Sequence, residues 1–252
     1  MQRILSLMRQ AMAEYNMIQD GDKIAVGISG GKDSIALVTA LANYQKFSQE
    51  KFQLVGININ VGFEDLDLNE VEKTRQYLES INVPFISEKT NIKQIVWDER
   101  HESNPCSLCA KMRRGALNTV AIREGCNKLA LGHHADDVLD TFFLSLIYEG
   151  RISTFPPKSY MSRTKMTLIR PMVFVEEKLI KEVMGKYNFP IIHNPCPEDK
   201  HTQRENVKDL INLMKDKFGY CKTNMLSALF HPERNNLWDK YKNLEIPQRE
   251  NN

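Results

Sequence analysis

Apolar positions Ile4, Leu5, Met8, Met12 and Tyr15 recur three or four residues apart, which is one face of an amphipathic helix, and the pattern stops at the turn Asp20-Gly21-Asp22. The period then changes. Lys23-Ile24-Ala25-Val26-Gly27-Ile28 is a short, nearly continuous apolar run, as expected of a strand buried on both faces. Helical periodicity resumes over 35–47, and the exchange continues with a strand over 52–59, a helix over 69–81 and a strand over 83–86. A helix over 113–124, a strand over 128–131, a helix over 136–148 and a strand over 167–169 complete the series. Such alternation predicts right-handed βαβ units: an α/β fold with a parallel sheet and helices on both faces. From Phe174 the chain is more polar and helical, broken by the turn His193-Asn194-Pro195-Cys196-Pro197. The expected organisation is an N-terminal helix (1–20), a sheet domain (21–173) and a small, mostly helical C-terminal extension (174–252) carrying Cys196.

With 252 residues and 42% hydrophobic content the chain can bury a full core. A formal net charge of +2 neither requires nor excludes a polyanionic partner, so any nucleic-acid surface must be a local patch. No apolar run approaches the ~20 residues that span a bilayer, and the charged N-terminal segment lacks a signal-peptide core. A soluble, cytoplasmic protein without membrane contact is expected. There the five cysteines, Cys106, Cys109, Cys126, Cys196 and Cys221, are more apt to hold metal or do chemistry than to form permanent bridges.

Ser29-Gly30-Gly31-Lys32-Asp33-Ser34 follows the first strand and opens the next helix, where an open parallel sheet receives phosphate. Gly30 and Gly31 let backbone N–H groups approach an anion, and the helix adds its positive N-terminus. Lys32 adds a point charge, and Ser29 and Ser34 add hydroxyls. The loop matches neither the Walker A spacing nor the G-x-G-x-x-G dinucleotide fingerprint, which argues against a P-loop enzyme that cleaves the γ-phosphate. Standing alone, it also fits a Gly-Gly turn with a polar helix cap. A second polar loop, Gly132-His133-His134-Ala135-Asp136-Asp137, follows the fourth predicted strand at the same sheet edge. Its bland alternative is an aspartate pair capping a helix, with His133 in the core.

Cys106-Ser107-Leu108-Cys109 sets two thiols one helical turn apart or across a tight loop, close enough to share one metal. The motif alone fits zinc, redox chemistry or an iron–sulfur cluster. Zinc would need further short-spaced ligands; His101 is the nearest imidazole, and there is no second C-x-x-C. Cys196 could supply a third thiolate, and three thiolates on a four-iron, four-sulfur (4Fe-4S) cluster leave one iron open to an exogenous sulfur. Cys126 and Cys221 have no spacing partner and read as buried or incidental thiols.

The Ser29–Ser34 loop and the Gly132–Asp137 loop together resemble the PP-loop pyrophosphatases, which adenylate a substrate with ATP and release pyrophosphate. The resemblance sharpens to the tRNA 2-thiocytidine synthetases through Tyr15-Asn16-Met17-Ile18, Pro105-Cys106-Ser107-Leu108-Cys109 with Arg113-Arg114-Gly115, Pro156-Pro157-Lys158 and Ile169-Arg170-Pro171. It implies a Rossmann-like, adenine nucleotide alpha hydrolase-like fold. In it Ser29, Gly30, Gly31, Asp33 and Ser34 hold the leaving pyrophosphate and Mg2+ lies near Asp33 and Asp137. Lys32, Asp33 and Asp137 are the expected catalytic residues, Gly132 and His133 join the ATP site, and Asn58 and Ile59 at the end of the second strand contact adenine. The resemblance further implies a 4Fe-4S cluster on Cys106, Cys109 and Cys196 and thiolation of a cytidine in the tRNA anticodon loop. One departure stands out: the family commonly has Pro-Cys-x-x-Cys at the third cysteine, whereas Cys196 is followed by Pro197, Glu198, Asp199 and Lys200.

Arg113, Arg114, Arg151 and Lys158, with Lys111, Arg163, Lys165 and Arg170, lie around these motifs and are the candidate RNA contacts, against the alternative of an ordinary solvated face. The expected partners are tRNA and a sulfur donor such as a cysteine desulfurase, with a homodimer plausible because an anticodon stem outsizes one such domain. Two other readings compete: a cluster-free PP-loop ligase such as a tRNA lysidine synthetase, which has no use for three cysteines, and a non-enzymatic nucleotide- or RNA-binding module.

Overall fold

The computed structural model describes residues 1–100, 105–187, 189–193, 195–196 and 203–237. His101, Asn194 and residues 197–202, which the motif reading touched, lie outside them. The chain divides into two compact units, Met1–Glu205 and Asn206–Asn252.

Strands β1 (Lys23–Gly27), β2 (Gln53–Asn60), β3 (Phe85–Lys89), β4 (Lys128–Ala130), β5 (Lys158–Met161) and β6 (Met166–Ile169) form one sheet of the first unit. Their order is β3-β2-β1-β4-β6-β5. Neighbours are parallel except β5, which runs antiparallel to β6 with Lys158 opposite Ile169. The predicted all-parallel sheet is therefore mixed at one edge. β5 is short, polar and on the rim, so it has neither the apolar run of a buried strand nor a sustained alternation. Helices α1 (Gln2–Glu14), α2 (Lys32–Gln45), α3 (Leu68–Ser80), α4 (Pro105–Arg123), α5 (Ala135–Glu149) and α6 (Glu177–Tyr187) surround the strands.

Alternation along β2 assigns helices to both faces. Val55 and Ile57 join Ala25, Leu129 and Leu168 in a cluster with Val120 and Ala121 of α4. Gly56, between them, points the other way: a Cβ there would lie 2.5 Å from Leu78 of α3. Helix α4 starts eight residues earlier than its periodicity indicates, because its first turns are exposed and only Val120 and Ala121 are buried. Pro105 at its start suits a first helical turn, where no amide donor is needed. Away from the phosphate edge, the buried pair Lys128 and Asp22 (2.6 Å) ties the start of β1 to β4.

The second unit holds most of α7 (Gln203–Phe218), then α8 (Cys221–Phe230) and a 3-10 turn at Pro232–Arg234. The predicted helical character of the C-terminal region holds over the described residues.

Candidate active site

β2 and β3 lie to one side of β1, and β6 and β5 lie beyond β4, so the chain reverses its direction of travel between β1 and β4. Ligands of open α/β sheets bind outside the strand ends at such a switch point. Both polar loops are there: residues 28–31 connect β1 to α2, and residues 131–134 connect β4 to α5.

The first loop is shaped by Gly30, which has φ +91°, a conformation that side chains rarely adopt. A Cβ on Gly30 would sit 2.6 Å from Ile192 Cβ, and the Ile192 N–H donates to the Gly30 carbonyl at 3.0 Å. The segment that reaches Cys196 four residues later is therefore fastened to the Ser29–Ser34 loop. Ser34 Oγ donates to the Gly31 carbonyl (2.8 Å) and lies 3.3 Å from Ser29 Oγ. The Ser34 N–H turns back to the Gly31 carbonyl at 3.2 Å, and a helix start of this kind is where backbone amides and the helix dipole favour an anion.

Gly132 lets the second loop approach the first. Its Cβ position is 3.1 Å from the Asp33 carbonyl carbon and oxygen. Asp137 Oδ2 accepts the His134 N–H at 3.0 Å, closing the first turn of α5, and Asp136 Oδ2 accepts the Glu177 N–H at 2.8 Å. The helix-capping role considered for these aspartates is thus present, and it coexists with their position beside the loop. Buried His134 lies 3.7 Å from Asp33 Oδ1 and 3.5 Å from Asp137 Oδ2 through Nε2. Asp33 Oδ1 is itself buried with no hydrogen-bond partner among the described residues.

Two further residues, Glu177 and Arg204, which belong to neither motif, complete the charge pattern. Glu177 Oε1 takes Lys32 Nζ at 2.9 Å, closer than Asp33 Oδ2 at 3.2 Å. Burial would raise the Glu177 carboxyl, but hydrogen bonds from Lys32 and Lys181 and the charges of both outweigh it and hold it at about 2. Arg204 Nη1 sits 3.0 Å from Asp137 Oδ1 and 3.9 Å from Oδ2 of Asp140, which is only 2% exposed. No spacing rule connects Glu177 to Lys32 or Arg204 to Asp137, since each pair is brought together only by the fold. His133 is held down at about 4, chiefly by burial, with Arg170, Arg204 and His134 adding to the effect and Asp137 opposing it.

Asn58 at the end of β2 is buried, with its amide donating to the Ile28 carbonyl at 2.8 Å and accepting from Ser87 Oγ at 3.1 Å. Ile59 packs beside the α4 core cluster.

Cys106 and Cys109 stand one turn apart in the first turns of α4, the former exposed and the latter half-buried. Burial pushes the Cys109 thiol up, Arg113 pulls it back, and the Cys196 and Cys106 sulfurs push it up again. Both other cysteines are therefore within electrostatic reach of Cys109, although no three His, Cys, Asp or Glu side chains among the described residues are placed to hold one ion. Cys126 is a buried member of the core cluster, and Cys221 begins α8. Arg113 and Arg114 share α4 with the cysteines, Arg151 is exposed just after α5, and the Lys158 ammonium is bonded to the Asn16 carbonyl.

A family model described as a PP-loop domain matches residues 3–214. The chain is 34% identical over 241 residues to the tRNA-cytidine(32) 2-sulfurtransferase of Pelobacter propionicus, covering 94% of this chain and 88% of that one. It is 38% identical over 224 residues to the Haemophilus influenzae protein of the same name, covering 87% and 70%. Among solved structures, the U34-tRNA thiolase NcsA of Methanococcus maripaludis, described with its 4Fe-4S cluster, superposes with a TM-score of 0.74 at 22% identity, over 93% of this chain and 79% of that one.

Proposed function

The chain belongs to the PP-loop family and, within it, to the tRNA-cytidine(32) 2-sulfurtransferases, and from that membership we propose that it thiolates a cytidine of the tRNA anticodon loop at the expense of ATP. The observation that carries the reading is the fastening of the Cys196 segment to the phosphate loop through Ile192 and Gly30, 3.0 Å apart. It links the part of the chain that would present sulfur to the part that would hold ATP.

In this reading the amides of Gly30 and Gly31 and the start of α2 cradle the pyrophosphate, with Lys32 as the fixed cation. The cytosine O2 attacks the α-phosphorus, and the bond to pyrophosphate breaks. The base is then joined to AMP through O2. A sulfur nucleophile next forms a bond to C2, and the C2–O2 bond breaks to release AMP. Mg2+ would be held near Asp33 and Asp137, where Asp33 Oδ1, without a hydrogen-bond partner among the described residues, can serve as a ligand. A second electrostatic element is Arg204, which must share Asp137 with that ion.

Cys106, Cys109 and Cys196 have the donor chemistry of a three-thiolate ligand set, with both other sulfurs within electrostatic reach of Cys109, and a 4Fe-4S cluster drawn together by them would supply an open iron for the incoming sulfur. Their protons would leave on loading, which the raised Cys109 thiol makes harder at low pH. The sulfur source in this reading is a cysteine desulfurase, whose persulfide sulfur is brought to the sulfide level by a thiol reductant that is oxidised to a disulfide; the compartment is the cytoplasm, and Arg113 and Arg114 contact the RNA. The acting form is a homodimer, for which the exposed Leu146, Ile147 and Ile152 offer apolar surface.

ATP labelled at the α-phosphate, incubated with and without tRNA under anaerobic conditions, tests the activation step. RNA-dependent release of labelled AMP is expected. Release of ADP, or nucleotide binding with no turnover, would contradict it and favour the binding-module alternative. AMP release with lysine as the required co-substrate would favour a lysidine-type ligase.

A further inference from the structure

Arg170 follows the last residue of β6, at the strand-end side of the sheet, and is only 7% exposed. A buried guanidinium normally finds a carboxylate, because an unpaired buried charge is costly. Among the described residues none lies at ion-pair distance from Arg170. What surrounds it instead is neutral or positive. Its Nη1 donates to the Pro156 carbonyl at 2.6 Å, and its carbon Cζ lies 4.7 Å from the Phe155 ring centroid. The same ring packs against His133 of the second motif, with centroids 4.9 Å apart. Arg170 Nε and His133 Nδ1 are both buried without a hydrogen-bond partner among the described residues. Burial first, and the charge of Arg114 second, bring Arg170 down to about 10, so a second guanidinium adds to the unbalanced charge. His133, at about 4, is neutral near pH 7 and can accept or donate without adding charge.

We propose that Arg170, with Arg114 and His133, forms a pocket for one phosphate-ester anion at the ends of β4 and β6. The inference rests on the nucleotide- and RNA-binding reading above and deepens it. The anion would take the Arg170 edge bearing Nε, supplying the missing acceptor and the missing negative charge together. The loop residues Phe155 and Pro156 would yield to admit it. Pinning that loop explains the Pro156 bond and the ring contact, but it requires no second arginine and leaves Nε unbonded. A solvated RNA-tracking role is a poor fit for a side chain so deeply buried. One anion from either of two sources fits: the α-phosphate of the nucleotide or a phosphodiester of the acceptor RNA.

The test compares binding of AMP, of adenosine, which lacks the phosphate, and of a short RNA stem-loop to wild type, Arg170→Met, Arg170→Lys and Arg114→Met, with thermal melts alongside. If the α-phosphate is the occupant, the AMP-to-adenosine affinity ratio falls about tenfold in Arg170→Met while adenosine binding stays constant. It falls less in Arg170→Lys, and in the same direction in Arg114→Met. If an RNA phosphodiester is the occupant, RNA binding weakens in the Met variants and its salt slope drops by about one, with the AMP ratio unchanged. Arg114→Met does not touch the Pro156 carbonyl, so it remains informative if Arg170→Met fails to fold. A wild-type ratio and wild-type RNA binding in Arg114→Met and in every folded Arg170 variant, with only a lowered Tm, would overturn the proposal and leave Arg170 a loop anchor. The reading on which it rests is checked separately by wild-type ATP binding.

Discussion

Gly132 and Asp33 come together so tightly that a Cβ on the glycine would lie 3.1 Å from the Asp33 carbonyl carbon and oxygen. That contact sets the spacing between the two loops at the switch point. Gly132→Ala must push them apart by a few tenths of an ångström, at a cost of about 1–2 kcal/mol in stability and a measurable loss of ATP affinity. Gly30→Ala adds backbone strain at φ +91° and a clash at 2.6 Å with Ile192, so it should lose more of both. Calorimetric ATP titrations and thermal melts on the two variants check the order; equal ATP affinity in both would refute the spacing role.

Lys32 is shared between Asp33 and Glu177, and Glu177 is held at about 2, below its ordinary 4.5. A depressed carboxylate stabilises the fold above its unfolded value, and the gain disappears as pH falls from about 4.5 toward 2. Wild type and Glu177→Gln should therefore differ in Tm at neutral pH and converge in acid. The pair is partly exposed, so the neutral-pH difference should be under about 1 kcal/mol. A double-mutant cycle with Lys32→Met on AMP formation should be non-additive, because both changes act on one ammonium group.

Neutral His133 is favoured in the folded chain, since burial lowers it from 6.5 to about 4. Unfolded chains bind that proton first as pH drops, so stability contributed by His133 is complete above about 6.5 and is lost between 6.5 and 4. His133→Gln should flatten the stability profile in that window, read by denaturant titration at several pH values. An unchanged slope would show that His133 titrates normally.

On the proposed function Cys106, Cys109 and Cys196 would hold the cluster, whereas Cys126 is a core residue and Cys221 begins α8. Anaerobically purified wild type, Cys126→Ser and Cys221→Ser should each carry about four irons and four sulfides, and Cys109→Ala should lose them. Iron lost equally from all variants, or zinc in place of iron, would contradict the assignment.

The sheet and both glycine-containing polar loops are readable from the chain because buried parallel strands such as 24–26 are uninterrupted apolar runs and the loops follow them directly. Edge strand β5 and the early turns of α4 escaped that reading, since their residues face solvent and carry no period. Chemistry-bearing residue types were legible where they sit in short motifs. Glu177 and Arg204 were not, because their meaning comes from partners 145 and 67 residues away. Arg204 illustrates the point: its helix looks like an ordinary mixed-charge covering helix, yet its first turn meets Asp137.

In the proposed function, ATP cleavage at this sheet edge serves sulfur insertion into a tRNA cytidine. Anaerobic protein with a loaded cluster, ATP, Mg2+, a sulfide source and tRNA lacking the modification should yield 2-thiocytidine on nucleoside digestion and mass analysis, and Cys109→Ala should yield none. Unmodified cytidine despite a loaded cluster and continuing RNA-dependent AMP release would contradict the account and move the reaction to another acceptor.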